Sequence, residues 1–452
     1  AIDNTTIFVT FSEVIDNSTI TTNTTNTTCS GTLQVSTDSF SSCIQMSALP
    51  VASNSDSIFS ISPTNLVYGS TYKIKVTTDV KDVAGNNLTT TYLTSTGFST
   101  PVGISKISAG TNHSCAIYTD STVKCWGRGG EGQLGDGNAS TSYTPVTVSN
   151  ITNPIEIAVG GHSSCVIISG GTMKCWGENG QGEIGDGTTT QRNTPVSVSS
   201  ITNASKIFIS NYGHACALLD NSSISCWGNN NFGQLGDGTT TDNSTPQTVS
   251  NISTATDIAL GFYHTCVLLS DGTVKCWGYN SNGQLGDGST TNRSSPVSFS
   301  GVSNARDIAA APQSTCILYN DGTVKCIGYN NKGQLGDGTT TNRTSLVSVT
   351  GITNGTKIIA GALNYCVLLA DSTIKCWGGN YHGQLGDGST TNSSSPVTVS
   401  GISNAVEIAT GGNHNCALLQ TGIILCWGSG SYGQMGDGST YNNSTPSTVT
   451  SG

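Results

Sequence analysis

Sixteen cysteines are the residues of this chain best placed to do chemistry, and their spacing says which chemistry. Fourteen fall into seven C-x9-C pairs: Cys115 and Cys125, Cys165 and Cys175, Cys216 and Cys226, Cys266 and Cys276, Cys316 and Cys326, Cys366 and Cys376, Cys416 and Cys426. Cys29 and Cys43 make an eighth pair near the N-terminus, and no cysteine is left over. A zinc site wants two close pairs with a few residues between ligands, whereas each pair here is widely spaced and alone in its stretch. Reduced structural thiols are the other alternative. An even count in constant pairs favours disulfides, which persist in oxidising compartments, so the chain reads as secreted or displayed at a cell surface.

The elements that must position these cysteines are hairpins. In CVLLSDGTVKCWGYNSNGQLGDGST, Cys266 to Thr290, two β-prone runs flank Asp271-Gly272. Cys266 and Cys276 lie equally far from Asp271, so a three-residue loop places them opposite one another. The last loop position needs positive φ, which Gly171, Gly272, Gly322 and Gly422 supply and where Ser121, Ser222 and Ser372 stand in. Opposed residues at a non-hydrogen-bonded site have Cα atoms about 4.5 Å apart, close enough to bridge. The first cysteine of the pair returns every 50 residues with a single step of 51, so the unit is repeated seven times. Each unit holds an apolar strand such as Asp257 to Gly261, the two hairpin strands, a WG and GQLGDG stretch, and a last strand such as Pro296 to Val302. Four short strands per repeat and seven repeats predict a seven-bladed β-propeller.

Other recurrent residues read first as architecture. His113, His214, His264 and His414 precede a cysteine by two, where Ser163, Ser314 and Asn364 stand in the other units; a hydrogen bond between neighbouring blades accounts for all of these types. One tryptophan per blade (Trp126, Trp176, Trp227, Trp277, Trp377 and Trp427) packs between blades, with an exposed sugar platform as the alternative. Asp136, Asp186, Asp237, Asp287, Asp337, Asp387 and Asp437 each precede a glycine and read as turn formers, with a cation- or glycan-binding ring as the alternative. The fifth unit departs from the pattern at Pro312-Gln313, at Ile327 in place of tryptophan, and at Leu346 in place of proline. The G-x-G-x-x-G matches at Gly130 to Gly135 and Gly180 to Gly185 follow no βαβ pattern and bind no nucleotide.

The pattern A-x-G-x-x-H-[ST]-C, G-x-V, WG-x-N-x-x-GQLG-x-G over residues 104–450 resembles the RCC1 repeat family, and extracellular bacterial members with paired cysteines resemble it most. Residues 1–100 lack the repeat and alternate apolar and polar residues in TIFVTF, Thr6 to Phe11, and TYKIKVTT, Thr71 to Thr78. FVTFSEVID, LVYGSTYKIKV and DVAGNNL resemble the bacterial Ig-like domain of surface-layer proteins and adhesins. That family begins with one more strand, so the resemblance implies a sheet edge without its usual partner. The expectation is an all-β chain: an Ig-like β-sandwich over 1–100 and a propeller over 101–452. With no initiator Met and no signal peptide, Ala1 reads as the start of a processed chain or of an excerpt.

Charged residues are only 10% of the chain and net charge is −10, which disfavours nucleic acid and anionic membrane, and no apolar run is long enough to span a bilayer. No Ser-His-Asp or Cys-His set stands out, so no enzyme and no cofactor are expected. Asn23, Asn26, Asn138, Asn203, Asn243, Asn292, Asn342 and Asn392 open Asn-x-Ser/Thr sequons and are candidate glycosylation sites. The function expected is an adhesin or fibre subunit whose partners are a protein or glycan at the cell surface, or other copies of itself through the Ig-like domain. A secreted propeller that inhibits a protein or recognises a glycan without self-assembly is the alternative.

Overall fold

The hairpin turn organises each blade. A computed structural model describes residues 6–67, 69–100 and 102–450, so Ala1 and Gly452 lie outside the described residues. In the fourth repeat Leu269 N–H donates to Thr273 O and Gly272 N–H to Leu269 O, closing a three-residue loop with Gly272 at φ 76°. Ser121, Ser222 and Ser372 take the same conformation at φ 68°, 62° and 64°. Because residues 269 and 273 form a hydrogen-bonded pair, alternation leaves Cys266 opposite Cys276 at a non-hydrogen-bonded site. Their Cα atoms are 4.1 Å apart and their sulfurs are bonded.

The same geometry recurs in seven four-stranded antiparallel sheets over 104–147, 154–197, 204–248, 255–298, 305–348, 355–398 and 405–448. Strands follow one another across each sheet in chain order, so every blade is built from contiguous sequence. Two strand bounds differ from the sequence expectation. The inner strand of blade four is Ala255–Leu260 rather than 257–261, and the outer strand is Arg293–Ser298 rather than 296–302. A register shift between Cys276 and Gly278 places Arg293 opposite Gly278, which starts the outer strand three residues early. Pro296 sits inside that strand, where an edge position leaves its missing N–H without consequence.

Packing between blades closes the ring. Trp277 is fully buried and its indole N–H donates to Gln234 O of the preceding blade at 2.8 Å. Trp126 of blade one makes the same bond to Gln434 O of blade seven at 2.9 Å. Ile107, Ala116 and Trp126 of blade one share a core with Ile408, Cys416 and Met435 of blade seven. Burial of the six tryptophans removes the exposed sugar platform as a reading of these residues.

The histidines add a directional clasp. His264 Nε2 lies 3.0 Å from Thr315 Oγ1 of the next blade, and that hydroxyl donates to Gln284 O at 2.8 Å. With its proton so committed, the hydroxyl must accept from His264, which is therefore the neutral Nε2–H tautomer. His113 with Ser164, His214 with Thr265 and His414 with Ser114 repeat the arrangement, the last across the closure. Burial pushes His113, His214 and His264 down to about 3 and His414 to about 4. In blade five Ser314 reaches Tyr365 at 2.9 Å instead.

Blade five's missing tryptophan is compensated next door. Where six blades have valine after the outer strand, blade four has Phe299, which packs with Ile327 in one cluster. Elsewhere a tryptophan ring lies against the glycine of the GQLG stretch; at Gly286 the Phe299 ring takes that place.

Residues 1–103 form a separate unit. Strands β1 (Ile7–Thr10), β4 (Ile58–Ile61) and β3 (Val51–Ser53) make one sheet. Strands β2 (Leu33–Ser36), β5 (Thr71–Val76), β6 (Tyr92–Leu93) and β7 (Phe98–Ser99) make the other. Leu33, Val35, Phe59, Ile61, Tyr72 and Val76 fill the space between them, an Ig-like sandwich. Among the described residues β1 pairs only with β4. Cys29 is bonded to Cys43 beside β2.

Candidate functional site

The aspartates that recur before glycine all sit in the loops between third and fourth strands. Asp287 Oδ1 accepts from Ser289 N at 2.9 Å, and the other six Asp side chains accept from the backbone two residues on in the same way. In blades two, four and five an arginine also binds the carboxylate: Arg192 Nε to Asp186, Arg293 Nε to Asp287 and Arg343 Nε to Asp337, at 2.8, 2.8 and 3.1 Å. Burial alone would raise Asp287, but the Ser289 and Arg293 bonds outweigh it and hold it below the usual carboxylate range. Each carboxylate is thus turned to its own loop, as a turn former is. Among the described residues no group of three or more His, Cys, Asp or Glu converges as a metal site would.

The candidate sequons differ in exposure, and Asn23 is the most enclosed. Its side chain is buried and its amide nitrogen, the atom a sugar would occupy, donates to Asn26 O at 2.8 Å and Ile44 O at 3.1 Å. Asn26, Asn138, Asn292 and Asn342 are exposed, and Asn203, Asn243 and Asn392 are half-buried.

Two features absent from the motifs above face the propeller axis. The first is a ring of charge. The seven inner strands line an axial channel of about 430 Å³, and each contributes one charged side chain: Lys106, Glu156, Lys206, Asp257, Asp307, Lys357 and Glu407. Taken round the ring the signs alternate except between Asp257 and Asp307. Lys106 lies 3.5 Å from Glu156 and Lys206 3.3 Å from Asp257. Asp307 accepts from Ile308 N and Ile358 N, each at 2.9 Å. Burial, and after it the charge of Asp257, push Asp307 up to about 7. Burial likewise raises Glu407, against the pull of Lys357 and Lys106.

The second feature is a recess at one end of that channel, where the loops between first and second strands converge. It measures about 720 Å³ and opens beside a smaller one of about 360 Å³. Tyr212, Phe262 and Tyr263 line both, so they stand between the two as a ridge. Tyr212 is half exposed, 4.4 Å from Phe262 and 5.0 Å from Tyr263 between ring centroids. Phe232 extends the row, 5.0 Å from Tyr263 and 5.0 Å from Tyr279. In the larger recess His162 Nδ1 lies 3.0 Å from Glu178 Oε2, and Thr111 donates to Asn211 Oδ1 at 3.1 Å across the mouth. Glu183, raised by burial, stands where six blades have glutamine. Pro312 and Gln313 of blade five line the smaller recess.

The signal for this site was present in the numbering. Inner strands of blades two and three start 50 residues apart, at Pro154 and Ala204, but the hairpins that follow start 51 apart, at Ser163 and His214. The one extra residue of the array therefore lies in the loop 210–213 that carries Tyr212.

A family model described as the RCC1-like domain matches residues 75–357 and 212–451, and one described as a bacterial Ig-like domain matches residues 1–100. Among solved structures, the chain is similar to yeast RCC1 (Prp20) in its complex with Kap60, with a TM-score of 0.66 and 19% identity over 77% of this chain and 84% of that one. Human WBSCR16 gives 0.66 at 20% identity over 73% and 94%. Prp20p from Saccharomyces cerevisiae, studied for its binding to Gsp1p and histones, gives 0.64 at 20% identity over 77% and 88%. At such identity the likeness is one of fold. No curated protein matches the chain.

Proposed function

The chain belongs to the RCC1-like domain family, and on that premise we propose that it is an extracellular, non-enzymatic binding protein, an adhesin or fibre subunit. Its disulfide-stapled propeller is the interaction scaffold, and the same chain carries an Ig-like domain. The observation that carries this reading is the aromatic ridge of Tyr212, Phe262 and Tyr263 over the axial recess. Residues repeated in every blade build the ring, whereas this ridge occurs once. Large apolar side chains half open to solvent beside a cavity are a common mark of a binding site. Eight disulfides fit an oxidising compartment, and among the described residues no helix is long and apolar enough to cross a membrane.

The partner is a protein or glycan at a cell surface. Self-assembly through the Ig-like domain is supported by β1, an edge strand among the described residues, on which Phe8 is 65% exposed. An unpaired strand edge invites a strand from a neighbour. Fluorescently labelled full-length chain should bind intact cell surfaces saturably, and the Tyr212→Ala, Tyr263→Ala variant should not. Equal binding by both would refute the assignment of the recess. Electron micrographs of purified chain separate the two assemblies: filaments support the fibre subunit, and dispersed particles at high concentration support a secreted propeller that binds without assembling.

A further inference from the structure

We infer that the axial recess binds a neutral oligosaccharide, with the Tyr212, Phe262 and Tyr263 ridge stacking on a sugar ring while Glu178 and Glu183 accept from its hydroxyls. This rests on the reading of the propeller as a binding module and names the ligand class. A pyranose has an apolar C–H face and a rim of hydroxyls, so it needs an aromatic surface with acceptors beside it. The larger recess has both.

Charge narrows the class. No Lys or Arg lines either recess among the described residues, while two carboxylates line the larger. Sialylated, sulfated or uronic sugars would bring anions toward Glu178 and Glu183 with no Lys or Arg to receive them. Glu183 is 4% exposed and takes the place of a glutamine, exchanging an amide's donor for a second acceptor oxygen. Sugar hydroxyls donate to such an oxygen. Burial also raises its pKa, which suits a group that binds neutral hydroxyls rather than a cation.

The arrangement of the rings separates a sugar from the other ligand that aromatics and carboxylates attract, a quaternary ammonium. An aromatic cage for a cation needs ring faces that converge on a void. Here the rings touch in sequence, at 4.4 Å from Tyr212 to Phe262 and 5.0 Å from Tyr212 to Tyr263 and from Tyr263 to Phe232. Rings in contact with one another leave no ligand-sized void between them, as a cage would need. The size also fits: about 720 Å³ lies within the range of small-molecule clefts.

The test is calorimetric titration of the full chain with cellotetraose, maltotetraose and chitotetraose, and separately with 3′-sialyllactose, a heparin tetrasaccharide and a trimethyllysine peptide. At least one neutral tetrasaccharide should saturate the protein. Tyr212→Ala should weaken it about tenfold, which is about 1.4 kcal/mol and within the range of an aromatic stacking contact. Tyr212→Phe should stay close to wild type, and Tyr441→Ala, at a 76% exposed ring in a loop of blade seven that lines neither recess, should change nothing. Melting temperatures equal to wild type certify folding of each variant. Binding of only the acidic sugars or the trimethyllysine peptide overturns the inference, as does neutral-sugar binding unaffected by Tyr212→Ala. Periodate treatment of the cell surfaces used above keeps this failure distinct. If the labelled chain still binds after periodate but not after proteinase, the binding module stands and the sugar falls.

Discussion

Replacing Asp257 with asparagine should change how the propeller's stability depends on pH, through its neighbour Asp307. Asp307 is held up at about 7, by burial first and then by the charge of Asp257. Lys357 flanks it on the other side and opposes the shift. An unfolded aspartate titrates at about 3.9, so the folded ring keeps a proton that the unfolded chain has released. The stability this confers is complete below about pH 4 and is lost as pH rises through about 7. Two carboxylates ~6 Å apart interact by about 2.8 kcal/mol at an effective dielectric near 20. The pair faces an open channel, so screening reduces this to about 1.4 kcal/mol, or about one pKa unit. Asp257→Asn should lower Asp307 by that amount, and the asparagine Oδ1 can keep the bond from Ile258 N. The Lys206 pair is lost too, but it weighs on the variant alike at both pH values compared. Urea denaturation at pH 5 and pH 8 should show wild type losing about 1 kcal/mol more than the variant over that interval. Parallel losses, or a larger loss in the variant, would refute the coupling across the ring.

Acid should act through the buried histidines in the opposite sense. Held near 3 in the fold, they stay neutral where unfolded histidine takes a proton, so stability is complete above about pH 6.5 and falls as pH drops toward 3. His264→Asn, the residue blade six has at that place, should cost stability at pH 8 yet shrink the loss between pH 6.5 and pH 4.5 in urea melts. Ile327→Trp alone should overpack against Phe299 and cost about 1–3 kcal/mol, while adding Phe299→Val should recover most of it; additive effects in the double-mutant cycle would disprove the compensation. Replacing Cys266 and Cys276 together with serine should cost up to about 3 kcal/mol, and thiol titration of the unreduced wild type should find no free sulfhydryl. Where the host glycosylates, peptide mapping should find sugar at Asn26 or Asn138 and none at Asn23; a modified Asn23 would contradict its burial.

The repeat made the architecture legible and hid the site. Hairpin register could be read because Cys266 and Cys276 are symmetric about a turn whose last position demands positive φ, a local rule that tertiary packing does not override. The histidine and tryptophan contacts were legible in kind, because residue types that share one property at one place point to one bond. Their partners were not: Gln234 O and Thr315 Oγ1 belong to other blades, and the ring brings them within reach only when it closes. Reading by consensus also averaged away Tyr212, an insertion that consensus discards, although the step of 51 announced it.

The charged ring shows what blade number itself dictates. A charge stands just before the Ile of every inner strand, a regularity that stands out in a chain with only 10% charged residues. Neighbouring charges on a ring are best satisfied by alternation, and seven places cannot alternate. One like-charged contact is therefore unavoidable unless a place is neutral, and changing the sign of any single charge leaves an odd number of such contacts. The contact falls between blades four and five, at Asp257 and Asp307, whose inter-blade core also exchanges tryptophan for Phe299 and Ile327. Pro312 and Gln313 of the same sector line the smaller recess beside the aromatic ridge. These departures of blades four and five thus adjoin the recess, and it is there that a substitution on the axis or in the core should be felt at the recess.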